Sequence, residues 1–164
     1  MDGGSLSGGC ALVGGVDWLR REWGSRPIVL KGVLSVENAR LAVGYGMDGI
    51  VVSSHGSRQL DGAVASLDVL LEIIEAAGDD IALFDSGVRT GADVVKALAL
   101  GAKAVLVGRP VIYGLGIASQ RGARHVLAGL LADVDQSMGM TGVKSVGELN
   151  KSMLKRVIYK NGRT

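Results

Sequence analysis

A histidine and an arginine lie three residues apart after a short apolar run. The run covers residues 49–52, and the segment after it contains His55, Gly56 and Arg58. Histidine can transfer a proton near neutral pH, and arginine can bind a carboxylate through two parallel hydrogen bonds. Loops that follow parallel strands are where α/β proteins carry their chemistry. The pair therefore indicates proton transfer next to anion binding, and a loop histidine hydrogen-bonded to backbone is the structural alternative.

Three other loops also place charged residues after predicted strands. The first begins at Lys31, the second runs from Asp85 to Arg89, and the third is Gly108-Arg109. Because the carboxyl ends of parallel strands meet at one edge of a sheet, all four loops share one face. That pattern is expected of a site for a charged ligand. The alternatives are a lysine stem that reaches solvent and an aspartate that accepts hydrogen bonds from loop amides.

The second and third of these loops have features of a phosphate site. Gly87 and Gly91 allow the backbone to approach an anion, and the helix predicted from Thr90 directs amide groups towards it. Arg89 and Arg109 supply positive charge. Glycine-rich turns with surface arginines remain the alternative from the loops alone.

Two hydrophobic patterns alternate along the chain. Apolar runs typical of buried strands occupy 27–30, 49–52, 81–84 and 104–107. Helical patterns begin near Val16 and occupy 35–45, 66–77, 91–100, 120–138 and 145–158. This alternation predicts an α/β fold with a parallel sheet, built from four βα units and a helical tail. A closed (β/α)8 barrel needs eight strands and about 250 residues, so four units indicate either an open sheet or half of a barrel.

Boundary residues support this division. The glycine-rich residues 1–15 are predicted to be a flexible lead-in to a domain at 16–164. Residues with the types and spacing of helix N-caps and capping boxes are Ser35, Ser66, Thr90 with Asp93, and Ser145 with Glu148.

Composition excludes several classes of protein. The chain has 164 residues, of which 48% are apolar, so it can form one domain and is not disordered. The net charge of +2, without a basic-aromatic platform, argues against nucleic acid and membrane surfaces as partners. The single Cys10 and two histidines predict neither a disulfide nor a metal site. A start without a basic region argues against a secretory signal.

Four segments together resemble one enzyme family. They are PIVLKGV at 27–33, VSSHGSRQLD at 52–61, FDSGVRTGAD at 84–93 followed by KALALGA at 96–102, and VGRP at 107–110. In this order they resemble the C-terminal half of the FMN-dependent α-hydroxy acid dehydrogenases and oxidases, such as glycolate oxidase and lactate oxidase. The resemblance implies the last four βα units of a (β/α)8 barrel plus C-terminal helices. It also implies FMN as the cofactor, and a small 2-hydroxy acid of the lactate or glycolate type that is oxidised to the 2-oxo acid. The segments near Ser86 and Tyr113 are most similar to the lactate 2-monooxygenase-like branch.

Individual residues acquire roles through this resemblance. His55 would be the base that takes a proton from the acid and would contact the substrate, and Arg58 would hold the substrate carboxylate. Lys31 would lie beside the flavin N1–C2 carbonyl edge, where negative charge develops on reduction. Ser53 would contact the flavin. The ribityl chain and phosphate would be bound by Asp85, Ser86, Gly87, Val88, Arg89, Gly108 and Arg109. Ser54 and Ser57 replace an asparagine and a smaller residue of the family without changing the His–Arg spacing.

The resemblance covers about residues 16–150 and leaves out the first half of the family's domain. That half supplies two tyrosines, a second arginine and the aspartate that orients the histidine, and none of these can be placed in residues 1–15. We therefore expect the chain alone to bind FMN poorly, to turn over slowly or not at all, and to self-associate. The full-length enzyme is expected to be a homo-oligomer in the cytoplasm or the peroxisome. The alternative function is a non-catalytic flavin- or phosphate-binding half barrel that another chain completes.

Overall fold

Four parallel strands form one sheet in the order β1-β2-β3-β4. The structure is a computed structural model that describes residues 9–78 and 82–157. Strand β1 is Val29–Val33, β2 is Gly49–Val52, β3 is Ala82–Asp85 and β4 is Val105–Leu106. All four predicted strands are present, although Ile81 lies outside the described residues and β4 is shorter than predicted. Because the strand order follows the chain order, the loops after the strands line up along one edge of the sheet.

A helix follows each strand. Helix α1, which precedes β1, is Gly9–Trp23, α2 is Val36–Gly44, α3 is Ser66–Ala77, α4 is Gly91–Ala99 and α5 is Arg109–Met140. Short 3-10 turns occur at His55–Ser57, Val146–Glu148 and Lys151–Met153. The predicted α/β fold with four βα units is confirmed. Within the described residues, none of the helices is both long enough and apolar enough to cross a membrane.

The core lies between the sheet and helices α2, α3 and α4. All four residues of β2 are buried, as expected of a strand paired on both sides and covered by helices. Leu70 and Ile73, three residues apart on one face of α3, are fully buried with Ile50 of β2. Burying each such side chain contributes about 1.5–3 kcal/mol. This packing fixes β2, and with it the position of the loop that begins at Ser53.

Two of the predicted helix N-termini are confirmed, and one is wrong in detail. Ser35 caps α2, and Thr90 and Asp93 form a reciprocal capping box on α4. At α3 the N-cap is Ala65 rather than Ser66. The Ser66 Oγ instead accepts a hydrogen bond of 2.8 Å from the backbone N–H of Ser54. Ser66 therefore ties α3 to the loop after β2, which is a long-range contact that sequence spacing does not reveal.

The predicted tail helix at 145–158 is wrong for the residues that the structure describes. Ser145 does donate a hydrogen bond of 3.0 Å to Glu148 Oε1, but only a short turn follows. Asn150 then adopts an extended backbone, and its side chain accepts from the N–H of Ser152. Asn150 interrupts the helical path because its side chain competes for backbone donors.

Two helices begin earlier than predicted. Helix α1 begins at Gly9 rather than Val16, so residues 9–15 of the predicted lead-in are helical, while residues 1–8 lie outside the described part. Helix α5 begins at Arg109, well before the predicted start at residue 120, and has non-helical backbone at Ala118 and Ser119. In both regions frequent glycines obscured a helical pattern, because glycine lowers helix propensity without preventing a helix.

Candidate active site

The four loops after the strands meet around one cavity of about 310 Å3. Its lining contains every predicted site residue except Ser53, which is buried beneath it. The lining residues are Lys31, His55, Gly56, Arg58, Gln59, Asp85, Ser86, Gly87, Val88, Arg89, Leu106, Gly108 and Arg109. Gly56, Gln59 and Leu106 were not predicted as site residues, and the signals that could have indicated them are their positions beside His55, beside Arg58 and at the end of β4. The predicted convergence of the loops on one face is confirmed.

Lys31 of β1 and Asp85 of β3 form an ion pair across the strand between them, β2. Lys31 Nζ lies 3.0 Å from Asp85 Oδ2 and donates a hydrogen bond of 3.0 Å to Ser53 Oγ. Ser53 is fully buried and donates in turn to Asp85 Oδ1 at 2.8 Å. The lysine side chain is 42% exposed and lines the cavity. Ser53 and Asp85 thus hold the ammonium group of Lys31 at the cavity wall.

The ionised form of Asp85 is favoured by these contacts. Partial burial raises the pKa of the Asp85 carboxyl group, but hydrogen bonds from Ser86, Ser53 and Lys31, together with the charge of Lys31, outweigh this effect. The net result is a pKa below the ordinary value of 3.8. Asp85 is therefore a carboxylate at neutral pH, and it can accept several hydrogen bonds at once.

The loop after β2 has an unusual backbone. His55, Gly56 and Ser57 have φ values of 54°, 66° and 58°, so all three lie in the left-handed region. The imidazole ring of His55 packs against Gly32, where an added Cβ would lie 2.7 Å from His55 Cε1. A positive φ is costly for a non-glycine residue, so it persists only where the surrounding structure holds it. Such residues are concentrated at functional sites. Gly32 is thus a site residue that the sequence reasoning missed, although its place directly after Lys31 was a signal.

His55 and Arg58 present their side chains to solvent. Both residues are exposed, and within the described residues neither the His55 ring nor the Arg58 guanidinium forms a hydrogen bond or ion pair. The structure brings these two residues to the same cavity as Lys31. An imidazole ring, a guanidinium group and an ammonium group therefore surround a single space.

The N-terminus of α4 does not direct its amides at the cavity as predicted. The backbone N–H groups of Arg89 and Thr90 donate to Asp93 Oδ2, and that of Gly91 donates to Asp133 Oδ2. These carboxylates, one of them from α5, already satisfy the donors that the prediction assigned to a phosphate. The Arg89 side chain still lines the cavity.

Helix α5 offers an alternative N-terminus. Its N-cap is Gly108, and no described side chain caps it. Arg109, the first residue of α5, donates a hydrogen bond of 3.2 Å from its guanidinium to the carbonyl of Gly56. A Cβ on Gly56 would lie 2.8 Å from that guanidinium, which can shift, so it is the φ of 66° that favours glycine there. An uncapped helix start beside Arg109 and Arg89 is a favourable place for an anion.

Comparison with known proteins identifies the family. The sequence profile of the family described as FMN-dependent dehydrogenase matches residues 11–156. The chain belongs to this family. An FMN-dependent alpha-hydroxy acid dehydrogenase of Penicillium citrinum is 54% identical over 145 residues, which are 88% of this chain and 36% of that protein. A peroxisomal (S)-2-hydroxy-acid oxidase of rice, Oryza sativa subsp. japonica, is 48% identical over 84% of this chain and 37% of its own length.

The fold of this FMN-dependent dehydrogenase family member is also found in solved structures. A crystal structure of mandelate oxidase with benzoyl-formic acid superposes with a TM-score of 0.75 at 51% identity. The superposition covers 80% of this chain and 39% of that chain. The four parallel strands are therefore part of an α/β barrel, as the resemblance implied. The chain spans less than half the length of these relatives.

The cavity of this family member has the features that FMN requires. Its donor set combines arginines suited to a phosphate, an aspartate and serines suited to the hydroxyl groups of a ribityl chain, and a lysine suited to an electron-rich ring. Gly87 and Gly108 expose backbone at the arginine end, and nothing lies within 4 Å of a Cβ placed on either of them. In residues 9–78 and 82–157 there is no cluster of three potential metal ligands. The chemistry of the lining thus fits the cofactor that defines the family.

Proposed function

We propose that this chain provides the FMN-binding and acid-binding loops of an enzyme that oxidises a small 2-hydroxy acid to a 2-oxo acid. One observation carries the proposal: His55, Arg58 and Lys31 line the same cavity as Arg89 and Arg109. An oxidation of this kind needs a proton acceptor, a group that binds the carboxylate and a site for the electron acceptor. All three lie within a space of about 310 Å3.

Arg58 and His55 act on the acid. The guanidinium of Arg58 binds the carboxylate through two parallel hydrogen bonds, which places the adjacent hydroxyl group near the imidazole. His55 accepts the hydroxyl proton as the carbon–oxygen bond becomes a carbonyl. The exposure of both side chains leaves them accessible to a ligand that enters the cavity. A carboxylate and a hydroxyl group on adjacent carbons are the substrate features that this pair recognises.

The remaining residues hold FMN. Arg89, Arg109 and the uncapped start of α5 at Gly108 bind the phosphate. Asp85, Ser86, Gly87 and Val88, which line the cavity, would contact the ribityl chain, and the buried Ser53 would contact the flavin. Lys31, which lines the same cavity, would stabilise negative charge on the reduced ring. When bound, FMN supplies the two-electron acceptor that the amino acids lack.

A complete site requires more of the barrel than these 164 residues contain. The chain spans 36% of the Penicillium relative, and the described sheet has four strands where a closed barrel has eight. We propose that the further strands, in a longer form of this chain or in another chain, supply the groups that orient His55 and close the pocket. The complete enzyme is proposed to be a homo-oligomer. A cytoplasmic or peroxisomal location is proposed for it. The peroxisome is suggested by the rice relative, which is named as a peroxisomal enzyme.

The experiment is an FMN titration of the purified chain followed by anaerobic addition of lactate, glycolate or mandelate. Quenching of FMN fluorescence measures binding, and loss of the oxidised flavin absorbance measures reduction. Weak FMN binding with slow or absent reduction, restored when the missing barrel strands of a relative are added, supports the proposal. FMN binding without reduction in that reconstituted protein would instead support a non-catalytic flavin-binding module.

A further inference from the structure

Two serine hydroxyls hold the two peptide bonds that flank His55. Ser53 Oγ accepts a hydrogen bond of 3.1 Å from the N–H of His55, and Ser86 Oγ accepts one of 3.0 Å from the N–H of Gly56. Both hydroxyls donate to the same atom, Asp85 Oδ1, at 2.8 and 2.5 Å. Because a carboxylate oxygen only accepts, each serine must direct its proton to Asp85 and its lone pairs to the loop. Asp85 thus orients both serines as acceptors.

Ser86 occupies a backbone conformation that favours glycine. Its φ is 84°, and a non-glycine residue in this region costs about 1–2 kcal/mol. A side chain at this position is therefore unfavourable for the backbone unless the side chain makes a compensating contact. The contacts of its hydroxyl are to Asp85, to Gly56 and, at 3.4 Å, to Ser53. Two of these partners, Gly56 and Ser53, belong to the loop that contains His55.

The loop needs this support. Three successive residues with positive φ begin at His55, and the ring lies against Gly32 only while the loop keeps that path. From the other side, the carbonyl of Gly56 accepts from Arg109. Gly56 is therefore held through its N–H by Ser86 and through its carbonyl by a residue at the phosphate end of the cavity.

We propose that Ser86 is a positioning residue for His55: its hydroxyl, oriented by Asp85, fixes the peptide bond after the histidine and so holds the imidazole over Gly32. The inference deepens the proposed function and rests on it only for the role of His55 as the proton acceptor. Contact of Ser86 with FMN is not needed for this role. Ser86 contacts both Asp85, which pairs with Lys31, and Gly56, which follows His55.

The test compares Ser86→Gly with Ser57→Gly in the 164-residue chain. Glycine accepts the positive φ at both positions, 84° and 58°, so neither variant should lose thermal stability. Only Ser86→Gly removes the hydroxyl that accepts from Gly56. We expect amide hydrogen exchange at Gly56 to become roughly three- to tenfold faster in Ser86→Gly. We also expect the nuclear Overhauser contact between the His55 ring and the Gly32 Hα atoms to weaken, with neither change in Ser57→Gly.

Both measurements are made without flavin or acid, so their outcome does not depend on whether the proposed function is correct. Ser86→Ala, which keeps the Cβ and removes only the hydroxyl, should reproduce both changes. In protein completed to hold FMN, Ser86→Gly should lower the rate of acid-dependent flavin reduction at saturating FMN. A purely structural serine would give an unchanged rate, since the glycine variant is not destabilised. Unchanged exchange at Gly56, or equal changes in Ser57→Gly, would overturn the proposal.

Discussion

Lys31 Nζ and Asp85 Oδ2 lie 3.0 Å apart, although one residue is in β1 and the other ends β3. The pair bridges β2 by way of Ser53, whose hydroxyl contacts both side chains. The order of the strands thus brings two charged residues that are distant in the sequence into an ion pair at the cavity wall. The ammonium group keeps a counterion while 42% of the lysine side chain stays exposed. The lysine is thus paired and still accessible to a ligand in the cavity.

Replacing Lys31 with methionine should weaken FMN binding more than it weakens folding. The loss of a partly exposed ion pair costs about 0–1 kcal/mol of stability. A charge-assisted contact to the flavin is worth about 1.5–3 kcal/mol, so the FMN dissociation constant should rise about ten- to hundredfold. Lys151→Met is the matched control, because it breaks the exposed ion pair with Glu75 at 3.1 Å, outside the cavity lining. Equal FMN affinities in the two variants would contradict the role of Lys31.

Replacing His55 with glutamine should stop proton transfer while leaving FMN binding intact. In protein completed to hold FMN, the rate of flavin reduction by a 2-hydroxy acid should fall about 10²–10⁴-fold. The FMN dissociation constant should stay within about twofold of wild type. His125→Gln changes an exposed histidine on α5 and serves as the control. A similar loss of rate in both variants would show that His55 is not the proton acceptor.

Replacing Arg58 with lysine should raise KM for the acid rather than abolish the reaction. Lysine keeps the charge but cannot form two parallel hydrogen bonds with a carboxylate. We expect KM to rise about tenfold, with a smaller change in kcat. Steady-state kinetics of the FMN-loaded protein measure this split, and an unchanged KM would remove Arg58 from the carboxylate site.

Adding a methyl group at Gly32 should displace the imidazole of His55. The new Cβ would lie 2.7 Å from Cε1, and φ at this position is 96°. Gly46→Ala is a matched control, because its φ is 68° and nothing lies within 4 Å of the added Cβ. Both variants should lose about 1–2 kcal/mol of unfolding free energy in urea titrations. Only Gly32→Ala should also lower the rate of acid-dependent flavin reduction. Equal rates in the two variants would show that the reaction does not require the His55 ring to pack against Gly32.

Stability should fall in acid through Asp85 and Asp93. The pKa of each carboxyl group is lowered below 3.8, because hydrogen bonds and a neighbouring lysine outweigh the effect of burial. A group with a lowered folded pKa contributes stability above its unfolded pKa and loses that contribution as pH falls through the folded value. The loss should therefore begin below about pH 4. Urea unfolding from about pH 6 to about pH 2 measures it.

Asp93→Asn isolates one of these two carboxylates. Near neutral pH the variant should lose about 1 kcal/mol, because Asp93 accepts from the backbone N–H groups of Arg89 and Thr90 at the start of α4. Below the folded pKa of Asp93 the difference from wild type should shrink. Asp135→Asn, at an exposed position of α5, should change neither value. A constant difference at all pH values would contradict the assignment to Asp93.

The alternation of apolar runs allowed the fold class to be predicted from sequence alone. Each run was short, contained at least one β-branched residue and was followed by a helical pattern, so length and composition distinguished strand from helix. The same order along the chain required the four loops to share one face. Local capping signals at Ser35 and Thr90 were also sufficient, because their hydrogen bonds span only three residues.

Contacts between distant segments were decided by the tertiary structure. The N–H of Gly91 is bound by Asp133, which is 42 residues away, and this contact depends on the path of α5. The same is true of Ser66, which reads locally as a cap but binds the loop after β2. Residue types and spacing placed His55, Arg58, Lys31 and Asp85 at one site. The packing of the strands determined that Asp85 directs Ser53 and Ser86 towards His55, since hydrogen-bond direction depends on positions in space that no local pattern specifies.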